Sequence, residues 1–175
     1  PFAEALIRGE VQPSQCTVAP QDTVEAVAEL LDVDAGRQER RVARLHCAGG
    51  RAEAYQIAEY WGFENCRAAS VVSGGGKGCS WGCLGLADCR DICDFNAIHM
   101  NGHGLPVVDD AACTACGECV DICPKQLFEL HPVSHRLWVA CRNHDREDVA
   151  EAECEVLCTA CERCVKDSPE RRIRI

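Results

Sequence analysis

The sequence predicts a small, metal-stabilised α+β fold, on three observations. The apolar core is thin: the 47% hydrophobic fraction counts sixteen cysteines, aromatics make up 5%, and there is one methionine. The cysteines fall in short, regular runs rather than singly. Between the runs lie segments of strand or short-helix length that cannot bury enough surface alone. The chain of 175 residues carries a formal net charge of −10, which argues against nucleic acid and anionic membrane surfaces as partners and for basic patches on protein partners. No apolar run reaches the length of a membrane span.

Taken in order, residues 22–31 (DTVEAVAELL) predict a helix. Asp22 is placed to cap it, Glu25 to complete a capping box, and Val24, Val27, Leu30 and Leu31 share a face. Residues 34–41 are charged and loop-like. Residues 42–47 (VARLHC) read as a strand running into Cys47. Residues 51–83 combine a short helix with the glycine-rich stretch 74–78 (GGGKG), which lacks the G-x4-G-K-S/T context of a phosphate cradle and reads as an approach to a cysteine loop. Strands are expected at 105–108, 127–130 and 136–140, and a polar link, helical or loose, at 143–153. Four segments result: 1–40, 41–78, 79–135 and 136–175.

The cysteines stand at 16, 47, 66, 79, 83, 89, 93, 113, 116, 119, 123, 141, 154, 158, 161 and 164. Disulfides would be awkward between cysteines two residues apart, and zinc knuckles use pairs rather than C-x2-C-x2-C triplets. Residues 113–124 (CTACGECVDICP) match C-x2-C-x2-C-x3-C-P, the bacterial-type [4Fe-4S] signature, in spacing and in the proline. Two further copies are degenerate. Aligning 83–94 with 158–169 puts Leu86 where Cys161 stands and Ser168 where Cys93 stands. Each copy has an extra cysteine four residues ahead, Cys79 and Cys154, and another further back, Cys66 and Cys141. The equal gaps suggest an internal duplication.

In two-cluster ferredoxins the fourth cysteine of each motif ligates the other cluster. That rule predicts a ferredoxin-like 2[4Fe-4S] core at 79–135. One set is Cys113, Cys116, Cys119 and Cys93. The other is Cys83, Cys89 and Cys123, with Cys79 replacing the sulfur lost at Leu86. A third set is expected from Cys158, Cys161 and Cys164 with Cys154 or Cys141, Cys154 preferred. Ser168 is then dispensable, because a fourth-position cysteine serves a neighbouring cluster. Cys47, Cys66 and the remaining one of Cys141 and Cys154 either line a further cluster or fill the core. The six histidines show no ligand-type spacing and read as surface or loop residues, with His46 beside Cys47 the one to watch.

These residues resemble one family, the B subunit of the Rnf complex, a membrane-bound, ion-translocating ferredoxin:NAD oxidoreductase. The resemblance is carried by PFAEAL before Cys16, by HCAGG (46–50), GGGKGCSWGCLG (74–85) and GLPVVD (104–109), and by the 79–93 spacing. It covers nearly the whole chain. It implies that Cys16 is the last ligand of an amino-terminal cluster whose other three cysteines, like a membrane anchor, would lie upstream, so that the chain is truncated in that domain. Ser168 departs from the family's usual cysteine. The resemblance further implies a role on the cytoplasmic face of the cell membrane, with soluble ferredoxin as electron donor and the other complex subunits as partners. No nucleotide or flavin motif is present, so chemistry on NAD would fall to a partner. The residues themselves read as a relay of single electrons through [4Fe-4S] clusters. The alternatives are a relay serving a hydrogenase or nitrogenase, and a metal-stabilised scaffold without redox function.

Overall fold

The computed structural model describes residues 2–168. Helix α1 (Phe2–Ile7) leads through a 3-10 turn (Pro13–Gln15) to α2 (Gln21–Leu31). The capping expectation fails at α2. Pro20 is the N-cap and no side chain caps the helix; Asp22 sits in the first turn and accepts from the Thr23 amide at 2.8 Å. Proline's fixed φ already sets the extended entry, and the helix starts at Gln21, one residue nearer the amino terminus than expected. The buried face is Val24 and Ala28, while Leu30 is 83% exposed, because only a narrow stripe of this helix meets the rest of the chain.

Strand β1 (Arg41–Leu45) pairs antiparallel with β4 (Phe128–Pro132), Arg44 opposite Glu129 and Val42 opposite His131. Strand β2 (Ile98–Met100), absent from the sequence-based expectation, pairs with β3 (Pro106–Val108). Three residues are too few to show a period. The remaining helices are α3 (Cys66–Val71), α4 (Asp88–Asp91), α5 (Glu118–Ile122), α6 (Glu147–Glu153) and α7 (Arg163–Asp167).

Alternation divides the β1–β4 ribbon into two faces. Ala43 and Phe128 point into the core with Cys89, Cys119 and Ile98, and Leu45 and Leu130 pack at its edge. The opposite face carries Val42, Arg44, Glu129 and His131. Segment 136–142 covers it. The strand expected at 136–140 does not form. Side chains hold the segment instead: Trp138 Nε1 donates to the Leu45 carbonyl at 3.0 Å, and the Arg44 guanidinium lies 4.6 Å from the Trp138 ring centroid. Arg44 is itself buried and makes a two-pronged pair with Asp110 at 2.6 and 2.8 Å.

The largest fully buried side chains are Leu127 and Val42. Leu127 packs where the ribbon meets α5, and its amide faces the Cys123 sulfur at 3.5 Å. Leu127→Ala is expected to destabilise the protein by about 2–5 kcal/mol, because a rigid surround leaves the cavity open. Thermal melting of the metal-loaded protein checks this.

Candidate metal centres

Three pockets are each lined by four cysteines. The first holds Cys93, Cys113, Cys116 and Cys119, the grouping that crossed ligation predicts. The second holds Cys66, Cys83, Cys89 and Cys123. The third holds Cys47, Cys79, Cys141 and Cys154. The three are similar in size. None of the sixteen cysteines is in a disulfide.

The backbone of the motif loops explains how one short segment can aim three sulfurs inward. In the 113–119 loop, Ala115 and Gly117 both have positive φ, 58° and 92°. In the degenerate 83–89 loop the equivalent residues, Gly85 and Ala87, have φ 72° and 68°. Each pair of left-handed residues coils the chain around the pocket and hands it to a short helix, α5 or α4. All of these positions hold Ala or Gly, which tolerate the left-handed region better than bulky residues do. The loss of a cysteine at Leu86 did not alter the loop.

The second pocket departs from the sequence-based grouping. The spacing predicts Cys79 beside Cys83, Cys89 and Cys123, but Cys66 stands there. Cys66 opens α3, and the backbone amide of Leu86 faces its sulfur. The Asp88 carboxylate fixes that helix start by accepting from the Cys66 amide at 2.9 Å, and Asn65 caps it from the other side, accepting from Ala68 at 2.7 Å. Cys66 thus delivers a thiol from a distant segment to the corner that position 86 leaves bare. The signal in the sequence is the unmatched Cys66 after Asn65, a good N-cap. Spacing alone favours the nearer Cys79.

Cys79 and Cys154 belong to the third pocket. A bridge between Ala54 and Cys154, and a hydrogen bond from the Glu155 amide to the Glu53 carbonyl at 2.9 Å, hold Cys154 in the third pocket with Cys47. A Cβ on Gly49 would come within 2.8 Å of the Cys154 sulfur, so this close approach requires glycine. The expectation that Cys154 or Cys141 completes the Cys158, Cys161 and Cys164 set is therefore not met in the structure. That last loop nonetheless has the motif backbone, with Ala160 and Glu162 at φ 52° and 56° ahead of α7. Ser168, at φ −74° and ψ 123°, has nearly the conformation of Cys123, at −71° and 109°. Cys16 is partly buried in an open cleft beside Arg37–Arg41 and the Ala111–Ala115 turn, which shares Cys113, Thr114 and Ala115 with the first thiol pocket.

The pockets adjoin. Cys89 and Cys119 share the central core, joining the first two. The Cys83 amide donates to the Cys47 sulfur at 3.4 Å, joining the second to the third. Lys77 spans that boundary. It is 7% exposed, and its Nζ donates to the Gly49 carbonyl and, at 2.7 Å, to the Cys83 carbonyl. The preceding glycines Gly74, Gly75 and Gly76 all have positive φ and fold the chain so that Lys77 enters the interior. GGGKG thus leads into a cysteine loop, as the sequence suggests.

Sulfur spacing discriminates between metals. In a tetrahedral tetrathiolate zinc site, Zn–S bonds of about 2.3 Å place sulfurs roughly 3.8 Å apart. Among the described residues, the group of potential ligand atoms lying within 4.8 Å of one another is His46, Glu129 and His131, and it includes no cysteine. The cysteine pockets are therefore too wide for one ion and suit a cluster, whose irons hold the thiolates further apart. Burial raises the thiol pKa values: Cys83 and Cys119 are each pushed up to about 12, and Cys89 also moves upward, with neighbouring sulfurs adding to the effect. Each must lose its proton to bind metal, so assembly is disfavoured as pH falls. Fully exposed Cys161 moves the other way, chiefly because the Arg163 amide faces its sulfur, with the Thr159 hydroxyl next.

A 4Fe-4S binding domain model matches residues 105–128. The chain is 40% identical over 157 residues to the B subunit of the Na(+)-translocating ferredoxin:NAD(+) oxidoreductase complex of Acetobacterium woodii, covering 90% of this chain and 47% of that protein. It is 34% identical over 173 residues to the B subunit of the ion-translocating oxidoreductase complex of Methanosarcina acetivorans, covering 99% of this chain and 66% of that one. The chain belongs to this family of B subunits. A third relative, the B subunit of the proton-translocating ferredoxin:NAD(+) oxidoreductase complex of Clostridium ljungdahlii, is 37% identical over 158 residues, 90% of this chain and 56% of that protein. The chain thus spans from about half to two thirds of the length of the relatives it matches. Among the described residues, no helix is long and apolar enough to cross a membrane.

The thiol environments make a chemical prediction. In protein freshly stripped of metal and still folded by circular dichroism, at neutral pH, iodoacetamide is expected to label Cys161 at least about tenfold faster than Cys83 or Cys119, since only the thiolate reacts. Peptide mass spectrometry over a time course measures the order.

Proposed function

We propose that this chain is an electron-transfer subunit of an Rnf-type ferredoxin:NAD oxidoreductase, and that its three thiol pockets hold [4Fe-4S] clusters in series. The observation that carries this reading is the contiguity of the pockets, each with four sulfurs, the first and third flanking the second. The clusters supply one-electron chemistry at low potential. The protein's part is to fix their spacing, exclude water and set their potentials. The Cys83 amide on Cys47, the Leu127 amide on Cys123 and the Asn143 side chain on Cys79 (3.7 Å) direct N–H groups at sulfurs and favour the reduced state. The Lys77 ammonium lies between the second and third pockets and stabilises added negative charge in both.

The first pocket reaches the surface through exposed Cys116. It is our proposed point of exchange with reduced ferredoxin, the protein that appears in the names of two of the relatives. The third, bordered by partly exposed Trp81, would pass electrons towards partner subunits. On the same reading, we propose that the protein works at the cytoplasmic face of the cell membrane. Cys158, Cys161 and Cys164 would ligate a further cluster, because their loop has the backbone of the other two motif loops. Cys16 would ligate a further cluster beside the first pocket.

Iron and acid-labile sulfide analysis with EPR tests the assignment. Cys66→Ala is expected to remove the second cluster, lowering iron by about four per chain. Cys79→Ala should remove the third and spare the second. Loss of the second-cluster signal in Cys79→Ala but not in Cys66→Ala would reverse the two assignments.

Lys77→Met should make both adjacent clusters harder to reduce and leave the first nearly unchanged. A unit charge about 8 Å away at an effective dielectric of 20 contributes about 2 kcal/mol, on the order of 50–100 mV for one electron. EPR-monitored redox titration reads the shift.

A further inference from the structure

The face of the β1–β4 ribbon turned away from the thiol pockets carries a group that the electron relay does not use. His131 and Glu129 stand two residues apart on β4 and so share that face. His46 follows β1 and reaches the same spot. Its Nε2 lies 3.5 Å from Glu129 Oε2, and His131 Nε2 lies 3.4 Å from the same oxygen. Both imidazole nitrogens are buried, and neither has a hydrogen-bond partner. The two side chains are only 12% and 22% exposed.

We propose that His46, Glu129 and His131 form a mononuclear site for a zinc-class divalent cation, separate from the thiol pockets. Three features support it. The first is dimension. Zn–N and Zn–O bonds of about 2.1 Å give a tetrahedral edge of roughly 3.4 Å, and the two measured edges are 3.5 and 3.4 Å. The second is orientation. His46 Nδ1 lies 2.8 Å from the Val139 carbonyl, which can only accept, so Nδ1 carries the proton and Nε2 presents its lone pair. Ligating histidines are commonly held in this way. The third is the carboxylate. The Arg142 guanidinium pairs with Glu129 Oε1, fixing the group and leaving Oε2 directed at the imidazoles.

Two nitrogens and one oxygen select the metal. Calcium and magnesium require mostly oxygen ligands, whereas zinc, cobalt and nickel accept imidazole. Nearby Arg142 and Arg44 disfavour a cation held by charge alone, which narrows the choice further to ions that bond strongly to nitrogen. Glu129 is 42% exposed in its side chain, so the remaining coordination position faces solvent. A bound ion would clamp β4 to His46, next to Cys47, and through Val139 to the strap that carries Cys141. It would thereby brace two of the four corners of the third pocket.

The test uses cluster-loaded protein under anaerobic conditions, with the thiols outside the three pockets (Cys16, Cys158, Cys161 and Cys164) alkylated by iodoacetamide, so that no free thiol competes for the probe. Co2+ is titrated as the optical probe and Zn2+ by calorimetry, with Mg2+ as control. Binding of one Co2+ per chain, with a d–d spectrum lacking thiolate-to-cobalt charge transfer and displaced by Zn2+ but not by Mg2+, supports the site. His131→Ala and Glu129→Gln should each weaken binding at least about tenfold, with the cluster absorption serving as the check on folding. Either variant suffices if the other fails to retain its clusters, and the wild-type spectrum stands independently of both. No saturable uptake by the wild-type protein, a thiolate charge-transfer band, or equal affinity in the variants would overturn the proposal.

Discussion

Four sulfurs must converge on a cavity too wide for a single ion, and most of this fold follows from that constraint. Thiols from Cys66 and Cys123 meet those of Cys83 and Cys89 across 57 residues of sequence, and Cys47 meets Cys154 across 107. The secondary structure is too slight to bring such segments together. Helices α4 and α5 span four and five residues, and each sheet has two strands. Bound metal supplies folding free energy in small domains of this kind. The apolar groups then complete the job locally, with Phe128, Ile98 and Leu127 filling space between pockets rather than forming a separate core.

The same constraint explains which residues must be small or unusually folded. Each motif loop takes two left-handed residues in alternation, and Ala or Gly occupies five of the six positions, Glu162 being the exception. Gly49 lies against the Cys154 sulfur, and Gly76 lets the chain turn tightly enough to bury Lys77. A buried lysine costs desolvation unless its donors are satisfied. Here the backbone carbonyls of Gly49 and Cys83 accept from it, one from the loop of each adjacent pocket. The lysine therefore links the two pockets mechanically as well as electrostatically.

Legibility in the sequence follows the range of the physics. The grouping of residues 93, 113, 116 and 119 is readable because its spacing is local and its one distant member obeys a known crossing rule. The small α+β class is readable from the thin core and short periods. Which thiol replaces the sulfur missing at Leu86 is not, because that depends on where α3 lands. Asn65 and Asp88 decide it through hydrogen bonds to the start of the helix, and nothing in the spacing of Cys79 counts against that residue. The strap at 136–140 reads as a strand because its apolar residues suit one. Trp138 and His46 hold it by side-chain bonds instead. Glu129 and His131 give no ligand signal in the sequence because their partner lies beyond another strand, and only the pairing register brings His46 to them.

The duplication in the cysteine pattern can now be given a physical reading. Cys66 and Cys141 precede Cys79 and Cys154 at equal distances, which suggests equivalent duties. The structure splits them. Cys66 serves the loop downstream of Cys79, whereas Cys141 lines the same pocket as Cys79 and Cys154. A thiol can change pockets if the loop geometry stays constant, because a vacant corner accepts any sulfur that reaches it without strain. At Leu86 the corner was lost and Cys66 reached it from α3. At Ser168 the fourth position lost its sulfur while its backbone kept nearly the dihedrals of Cys123. The loop fold is thus the invariant part of each centre, and the source of its fourth sulfur is the variable one. On that view the 158–164 loop keeps the geometry of the other two, although none of the three pockets includes its sulfurs.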